Sequence, residues 1–180
     1  MARPPHARES VLDAFERLLI DEGGRAATMD AAARVAGVSK GGLLYHYATK
    51  DALESALLDR LDALVGADLD AMASAPDGAV AFFLRTSVMD DDPLDRVLIA
   101  TSRLAQGGHH AAAEALRHVR IRWADALRPH VRDDTALALV LLVSDGLYYN
   151  NALGGPAAAA PVPRAGDLDA LIALVESSVR

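Results

Sequence analysis

Apolar residues recur along the chain at intervals of three and four positions, from the N-terminal segment to the last one. In the first segment Val11, Phe15, Leu18 and Leu19 follow this spacing, which aligns them on one face of a helix. The alternation of apolar and polar residues that a half-buried strand shows never persists beyond a few positions. The pattern therefore predicts an all-α fold of about nine helices. They span residues 5–22, 28–36, 40–47, 50–72, 77–88, 93–105, 110–127, 133–151 and 167–178.

Residues that cap or end helices lie at the boundaries of these segments. Thr28, Ser39 and Thr49 stand where three helices begin, and a hydroxyl there can accept a hydrogen bond from a backbone N–H of the first turn. Gly37 follows the second helix, and glycine adopts the left-handed conformation that ends many helices. Residues 154–166, rich in alanine and proline, are interpreted as a loop or linker.

Composition narrows the class of protein further. Of the 180 residues 52% are hydrophobic, which excludes a disordered chain, and only 4% are aromatic, which favours helix over sheet. Cysteine is absent, so disulfides and thiol catalysis are excluded. The N-terminus lacks the apolar core of a signal peptide, and the longest apolar run, residues 136–143, is too short for a membrane span. We therefore expect a cytoplasmic protein with no membrane partner and no cofactor.

Residues 28–53 carry the strongest functional signal. A short helix, a tight turn at residues 36–39 and a second short helix have the form of a helix-turn-helix unit. The start of the second helix offers amide groups and the charge of Lys40, and Gly41 and Gly42 let its backbone approach a partner closely. Such a surface can contact the phosphates and the major groove of DNA. We therefore favour a DNA-binding unit over an ordinary helical corner with no binding role.

The run AGVSKGGLLYHYATKDAL, residues 36–53, is similar to the DNA-binding region of the tetracycline-repressor (TetR) family of bacterial regulators. The resemblance covers about the first 70 residues and implies a three-helix helix-turn-helix domain in which Tyr47 belongs mainly to the core. The residues that it implicates in DNA binding are Thr28, Ser39, Lys40, Gly41, Gly42, Leu43, Tyr45, His46 and Lys50. Leu44 departs from the family pattern, in which many members have tyrosine, so one phosphate contact is not expected here.

The resemblance also implies the organisation of the whole protein. Residues 1–50 would be the DNA-binding domain, and residues 51–180 a helical domain for ligand binding and dimerisation. A homodimer formed through the last two helices would bind a palindromic operator in double-stranded DNA. A small-molecule effector of unknown identity would move the fourth helix and release the operator. Beyond Met72 the resemblance is only in size and helix count, so it identifies no effector.

Two other functions remain open from the sequence. One is a DNA-binding regulator that a protein partner controls, without a small effector. The other is a helical enzyme that uses Asp145, Tyr148 and either His109 or His110, although nucleophile elbow, phosphate loop and metal spacing are absent. Adjacent histidines point in different directions on a helix, so together with the aspartates at positions 90–92 they make a poor metal site, and we expect no bound metal.

Charge is distributed unevenly along the chain. The net charge of −7 argues against a protein covered in positive charge. Residues 1–50, however, contain seven basic and six acidic side chains, and residues 51–180 contain eleven and nineteen. Arg3, His6 and Arg8 are candidates for a basic arm beside the DNA. The small excess of positive charge on the reading domain predicts modest non-specific affinity for DNA.

A ligand site is predicted in the C-terminal domain. The segment at residues 137–149 is apolar nearly all round, which indicates a buried helix, so the carboxylate of Asp145 needs a partner. The candidate ligand-binding residues are Phe82, Phe83, Leu104, Trp123, Asp145, Tyr148 and Tyr149. The alternative is a packed core or dimer seam in which Asp145 pairs with an arginine such as Arg120.

The apolar residues of the last helix also allow two interpretations. Its leucines, isoleucine and valine can form a four-helix seam across a two-fold axis or close the core of a single chain. The residues concerned are Leu168, Leu171, Ile172, Leu174 and Val175, with Leu137, Val140 and Leu141 of the preceding helix. The family resemblance favours the dimer.

Overall fold

The computed structural model describes residues 4–88, 92–153 and 166–180, with side chains for residues 6–88, 92–149 and 166–180. Some sequence predictions lie outside these residues: Arg3 of the basic arm, the aspartates at positions 90 and 91, and nearly all of the predicted loop at residues 154–166. Within the described ranges, no helix combines the length and the apolar character that crossing a membrane requires.

The described residues form nine α-helices and contain no strand, so the predicted all-α fold is confirmed. A turn of 3-10 helix, Arg128–His130, follows the seventh helix. The helices are α1 (Pro4–Glu22), α2 (Met29–Ala36), α3 (Lys40–His46), α4 (Lys50–Ala73), α5 (Ala79–Thr86), α6 (Pro93–Gln106), α7 (His110–Leu127), α8 (Asp134–Leu153) and α9 (Gly166–Val179).

The first of two compact units comprises Met1–Val65 and Pro93–His118. In this unit α1 packs against α2, α3 and α6. Ala31, Ala32 and Ala33 of α2 are buried, and their small side chains let α1 and α2 approach closely. Phe15 of α1, Leu43 of α3 and Leu57 of α4 are completely buried, so the core fixes the helix-turn-helix to the helices around it.

A buried ion-pair network joins three helices of the first unit. Glu16 on α1 is only 4% exposed, and its two carboxylate oxygens accept hydrogen bonds from different arginines. Oε2 lies 3.0 Å from Nη1 of Arg60 on α4, and Oε1 lies 3.0 Å from Nε of Arg96 on α6. Burial by itself lowers the pKa of the Arg60 guanidinium, but hydrogen bonds to the carboxylates of Glu16, Glu9 and Asp13 raise the pKa above its ordinary value.

The second unit comprises Gly66–Asp92 and Val119–Arg180. Here α5 packs against α8 and α9, and α8 packs against α9 around a core that includes Phe83, Val140 and Ile172. A hydroxyl pair crosses this core, with the Oγ atoms of Ser87 and Ser144 2.7 Å apart. Because the hydroxyl of Ser87 already donates to the carbonyl oxygen of Phe83, Ser144 is the donor of the pair.

The compact units divide the chain differently from the boundary expected at residue 50. They are defined by packing, and α6 belongs to the first unit because it packs on α1. The proposed boundary at residue 50 concerns function, which packing alone does not test. The first unit therefore contains the expected DNA-binding domain together with all of α6 and parts of α4 and α7.

The outer surfaces of α8 and α9 carry exposed apolar residues. Leu139, Leu142 and Tyr149 are three and seven residues apart, so they lie in one stripe along α8. Leu142, Tyr149 and Leu174 of α9 are each 64% exposed. The expectation that the apolar helix is buried all round is wrong for this stripe. Most residues predicted for a dimer seam are buried in the second unit's own core: Leu137, Val140, Leu168, Ile172 and Val175.

Candidate functional site

The turn between α2 and α3 depends on one glycine. Gly37 has a φ of 68°, in the left-handed region, as the sequence predicted. The N–H of Val38 donates to the carbonyl oxygen of Ala33 at 3.0 Å, so the end of α2 is capped by the turn itself. An L-residue at this position would be strained, because its Cβ crowds the backbone when φ is positive.

Three hydroxyl groups cap the helices of this region, as predicted. The Oγ1 of Thr28 accepts from the N–H of Ala31 at 3.2 Å, and the Oγ of Ser39 accepts from the N–H of Gly42 at 3.0 Å. Thr49 caps α4 in the same way. All three caps are exposed, and each hydroxyl uses only acceptor capacity in the cap. Their protons can therefore be donated to an outside acceptor such as a phosphate oxygen.

The outward surface of α3 is formed by small and aromatic residues. Gly41 is exposed, Gly42 and His46 are half-buried, and Tyr45 is 84% exposed. The structure does not place the side chain of Leu43 on this surface, because that side chain is completely buried.

Tyr47 ends α3 inside the core, as predicted, and is 3% exposed. The guanidinium carbon of Arg8 lies 5.4 Å from the centre of its ring, at the distance of a cation–π contact. Burial raises the pKa of Tyr47, and the positive charge of Arg8 opposes the rise. Arg8, a candidate for the basic arm, lies within α1, and its guanidinium is held over the ring of Tyr47 at the end of α3.

Both lysines of the chain lie at helix starts in this region. The Nζ of Lys40 is 2.9 Å from a carboxylate oxygen of Asp30, but both side chains are mostly exposed. Such a pair contributes little to stability, so a phosphate can replace Asp30 at little cost. The Nζ of Lys50 lies 3.3 Å from Glu54, whose side chain is buried. Lys50 is therefore held more firmly than Lys40.

The candidate ligand residues of the second unit come together only in part. The rings of Phe83 and Trp123 are 5.6 Å apart, and Phe82 packs against the same core. Asp68 of α4, which the sequence reasoning missed, accepts a hydrogen bond from the indole N–H of Trp123 at 2.8 Å. Burial raises the pKa of Asp68, although the hydrogen bond from Trp123 lowers it. The alternation of acidic and apolar residues on α4 gave no signal for this pairing.

Other candidate ligand residues lie apart from this cluster. Asp145 is half-exposed and forms an ion pair with Arg120, which is the alternative that the sequence left open. Tyr149 is on the exposed stripe of α8, and Tyr148 is half-buried. Leu104 is buried in the first unit, where it lines a different cavity.

One of the histidines considered for catalysis or metal binding, His109, has a structural role. The Nδ1 of His109 accepts from the N–H of Ala112 and caps α7, while its Nε2 lies 3.4 Å from Glu54. Among the side chains that the structure describes, no group of three metal-ligating residues converges.

The fold and this surface define a class of protein. An exposed α3 after a tight turn, with caps that can donate to phosphates, is the arrangement of a helix-turn-helix DNA-binding regulator. Residues 11–57 match the sequence model of the bacterial regulatory proteins of the tetR family. The resemblance predicted from the sequence is confirmed for this region, which is similar to the DNA-binding segment of the tetR-family regulators.

Solved structures share the fold over nearly the whole chain. Salmonella enterica GusR is 16% identical with a TM-score of 0.66, over 99% of this chain and 98% of that one. A transcriptional regulator from Rhodococcus sp. Rha1 is 22% identical with a TM-score of 0.64, over 99% and 96%. The multidrug binding protein EbrR, complexed with malachite green, is 19% identical with a TM-score of 0.61, over 96% and 98%. A comparison with curated proteins finds no match. At these identities the likeness establishes the fold alone.

Proposed function

We propose that the protein is a homodimeric repressor that binds a palindromic operator through α3 and leaves it when a small, largely apolar molecule binds the second unit. The observation that carries the DNA-binding part is the exposed surface of α3, flanked by capping hydroxyls and lysines. A repressor of this kind acts where the chromosome is, which in bacteria is the cytoplasm.

This geometry supports a set of proposed DNA contacts. The start of α3 presents backbone N–H groups and the hydroxyl of Ser39 toward a phosphate, with Lys40 beside them. Tyr45 and His46, whose rings are 5.1 Å apart, extend toward base edges or the sugar-phosphate backbone. Lys50 and Thr28 add backbone contacts on either side.

The dimer is supported by the apolar stripe of α8 and by Leu174 of α9. Gly146 lies within the stripe, four residues after Leu142, and a Cβ built on it would meet nothing within 4 Å. A second chain can therefore approach α8 closely at Gly146 and cover the neighbouring leucines. A two-fold dimer would present two copies of α3 to half-sites about 34–36 Å apart, one helical turn of DNA.

The effector is proposed to bind near Phe83 and Trp123, where aromatic surface adjoins the half-buried carboxylate of Asp68. Sites of this composition suit a mostly apolar molecule with one polar or cationic group. EbrR, which shares the fold, was solved in complex with malachite green.

Replacing Lys40 with alanine tests the DNA-binding part of the proposal. The duplex would first be selected from a random library with the full-length protein, and its affinity measured by fluorescence anisotropy at several salt concentrations. Each phosphate contact adds about 0.9 to the slope of log K against log salt, so Lys40→Ala is expected to lower the slope by about one per subunit.

The matched control is Arg117→Ala. Arg117 and Glu114 form an exposed ion pair at 2.8 Å, like that of Lys40 and Asp30, but on α7. This variant should keep both affinity and slope. Unchanged binding by Lys40→Ala would remove Lys40 from the interface, and failure to select any duplex would contradict the DNA-binding proposal.

Replacing Leu142 with alanine tests the dimer. If a second chain covers Leu142, the lost apolar contact of about 1.5–3 kcal/mol weakens the dimer about tenfold or more. Sedimentation of diluted protein measures the dissociation constant. Ile121→Ala, at an apolar position of α7 that is 50% exposed, is the control and should leave the constant unchanged. Equal behaviour of the two variants would argue against a seam on α8.

A further inference from the structure

An open cleft of about 670 Å³ lies within the first unit, and no residue of α3 lines it. Three segments line it: the α1–α2 turn at residues 23–25, the start of α4, and the end of α6 with the turn that follows. A Cβ built on Gly24 would lie 4.0 Å from the carbonyl oxygen of Arg103, which shows how closely the first and third segments approach. The volume is within the range of sites for small organic molecules.

The charges that line the cleft are predominantly positive. Arg25, Lys50 and Arg103 contribute three cations, against the single carboxylate of Glu54. That carboxylate is buried and already lies 3.3 Å from Lys50 and 3.4 Å from His109. Arg25 and Arg103 are exposed and have no ion pair with any described residue. The lining of the cleft thus carries an excess of positive charge, although the net charge of the whole chain is −7.

Hydrogen-bond donors accompany these charges. In the α1–α2 turn the N–H groups of Gly23, Ala26 and Ala27 donate to backbone carbonyls, whereas those of Gly24 and Arg25 make no hydrogen bond among the described residues. Two neighbouring backbone donors and two guanidinium groups can therefore be satisfied by the oxygens of one ligand. Guanidinium groups bind carboxylate and phosphate oxygens in a bidentate manner.

We propose that this cleft binds a small organic anion, a polycarboxylate or a phosphate ester, through Arg25 and Arg103. Lys50 forms part of the lining and is also expected to hold the DNA backbone. An anion in the cleft therefore attracts Lys50 and reduces the affinity for DNA; this consequence rests on the proposed function, whereas binding of the anion does not.

Anion binding is tested on the full-length protein without DNA. Calorimetric titration and thermal shift would use citrate and, separately, inorganic phosphate, with chloride at equal ionic strength as the reference. We expect citrate to bind the wild-type protein, and Arg103→Ala and Arg25→Ala each to raise its dissociation constant about tenfold, because each loses a charge-assisted hydrogen bond. Arg34→Ala, an exposed arginine of the same unit outside the cleft, is the control and should bind like wild type.

Two results without DNA would overturn the proposal: no binding of citrate or phosphate beyond that of chloride, or equal binding by wild type and Arg103→Ala. A third measurement uses the selected duplex in chloride. Arg103→Ala should keep the salt slope of DNA binding, and a lower slope would assign the cleft to a DNA phosphate instead and overturn the proposal. The titrations without DNA stand whether or not the repressor proposal holds.

Discussion

Replacing Glu16 with alanine is expected to lower the free energy of unfolding by about 3 kcal/mol, the lower end of the range for breaking a buried ion pair. The carboxylate of Glu16 is almost completely buried and receives hydrogen bonds from both Arg60 and Arg96. Without it, two guanidinium groups remain close together in the packed region between α1, α4 and α6. The expected loss of unfolding free energy is at the lower end of this range because both arginines are partly exposed to solvent.

Asp13→Ala is the matched control for this prediction. Asp13 lies one turn earlier on α1 and contacts the same Nη1 of Arg60, at 2.8 Å, but its side chain is 57% exposed. An exposed ion pair contributes about 0–1 kcal/mol, so this variant should unfold close to wild type. Urea denaturation at one protein concentration measures both variants, since the stability of a dimer depends on concentration. If Glu16→Ala and Asp13→Ala lost the same free energy of unfolding, burial would not determine the strength of these ion pairs.

Glu16 also shows where sequence reasoning was insufficient. Its side chain is charged, yet it lies four residues after Leu12 and three before Leu19, on the buried side of the first helix. Its partners are 44 and 80 residues away along the chain. Helical spacing was enough to flag the burial, but nothing local identified Arg60 and Arg96 as partners.

Features set by neighbouring residues were predicted well. The caps at Thr28, Ser39 and Thr49, and the left-handed Gly37, depend on contacts within four residues, and the structure has each of them. Helix boundaries agree within one or two residues for the same reason.

Features that depend on packing between distant segments were predicted poorly. Leu104 was grouped with Trp123 because both are apolar, but α6 packs on α1 and carries Leu104 into the first unit. The stripe of α8 was interpreted as buried, because a sequence does not distinguish a face covered by its own chain from one left for another chain. The cleft beside Lys50 is formed by three segments that no single motif connects.

Gly41→Glu is expected to have the largest effect on function: at least about a 100-fold loss of affinity for the selected duplex, because a carboxylate against DNA phosphates costs several kcal/mol. Gly41 is exposed in the first turn of α3, and a Cβ built on it would meet nothing within 4 Å. The free protein can therefore accept the larger side chain without rearrangement.

The same substitution should stabilise the fold. Glycine inside a helix costs roughly 0.5–1 kcal/mol relative to alanine, and a negative charge in the first turn of a helix interacts favourably with the helix dipole. Gly41→Glu should therefore raise the melting temperature slightly while it abolishes DNA binding. Damage to the fold would lower the melting temperature and the affinity for DNA together. A higher melting temperature with a lower affinity would therefore identify α3 as the surface that contacts DNA.

Two variants separate the causes of the loss. Gly41→Ala gives the same gain in helix propensity without charge, and we expect a smaller loss of affinity that measures how closely the backbone approaches the DNA. Ala113→Glu adds the same charge at an exposed position of α7 and should bind DNA almost like wild type. If Gly41→Glu bound the duplex as tightly as Ala113→Glu, the outward surface of α3 would not be the reading surface. The DNA contact would then have to be sought elsewhere in the first unit, beginning with Lys50 and Arg25 at the cleft.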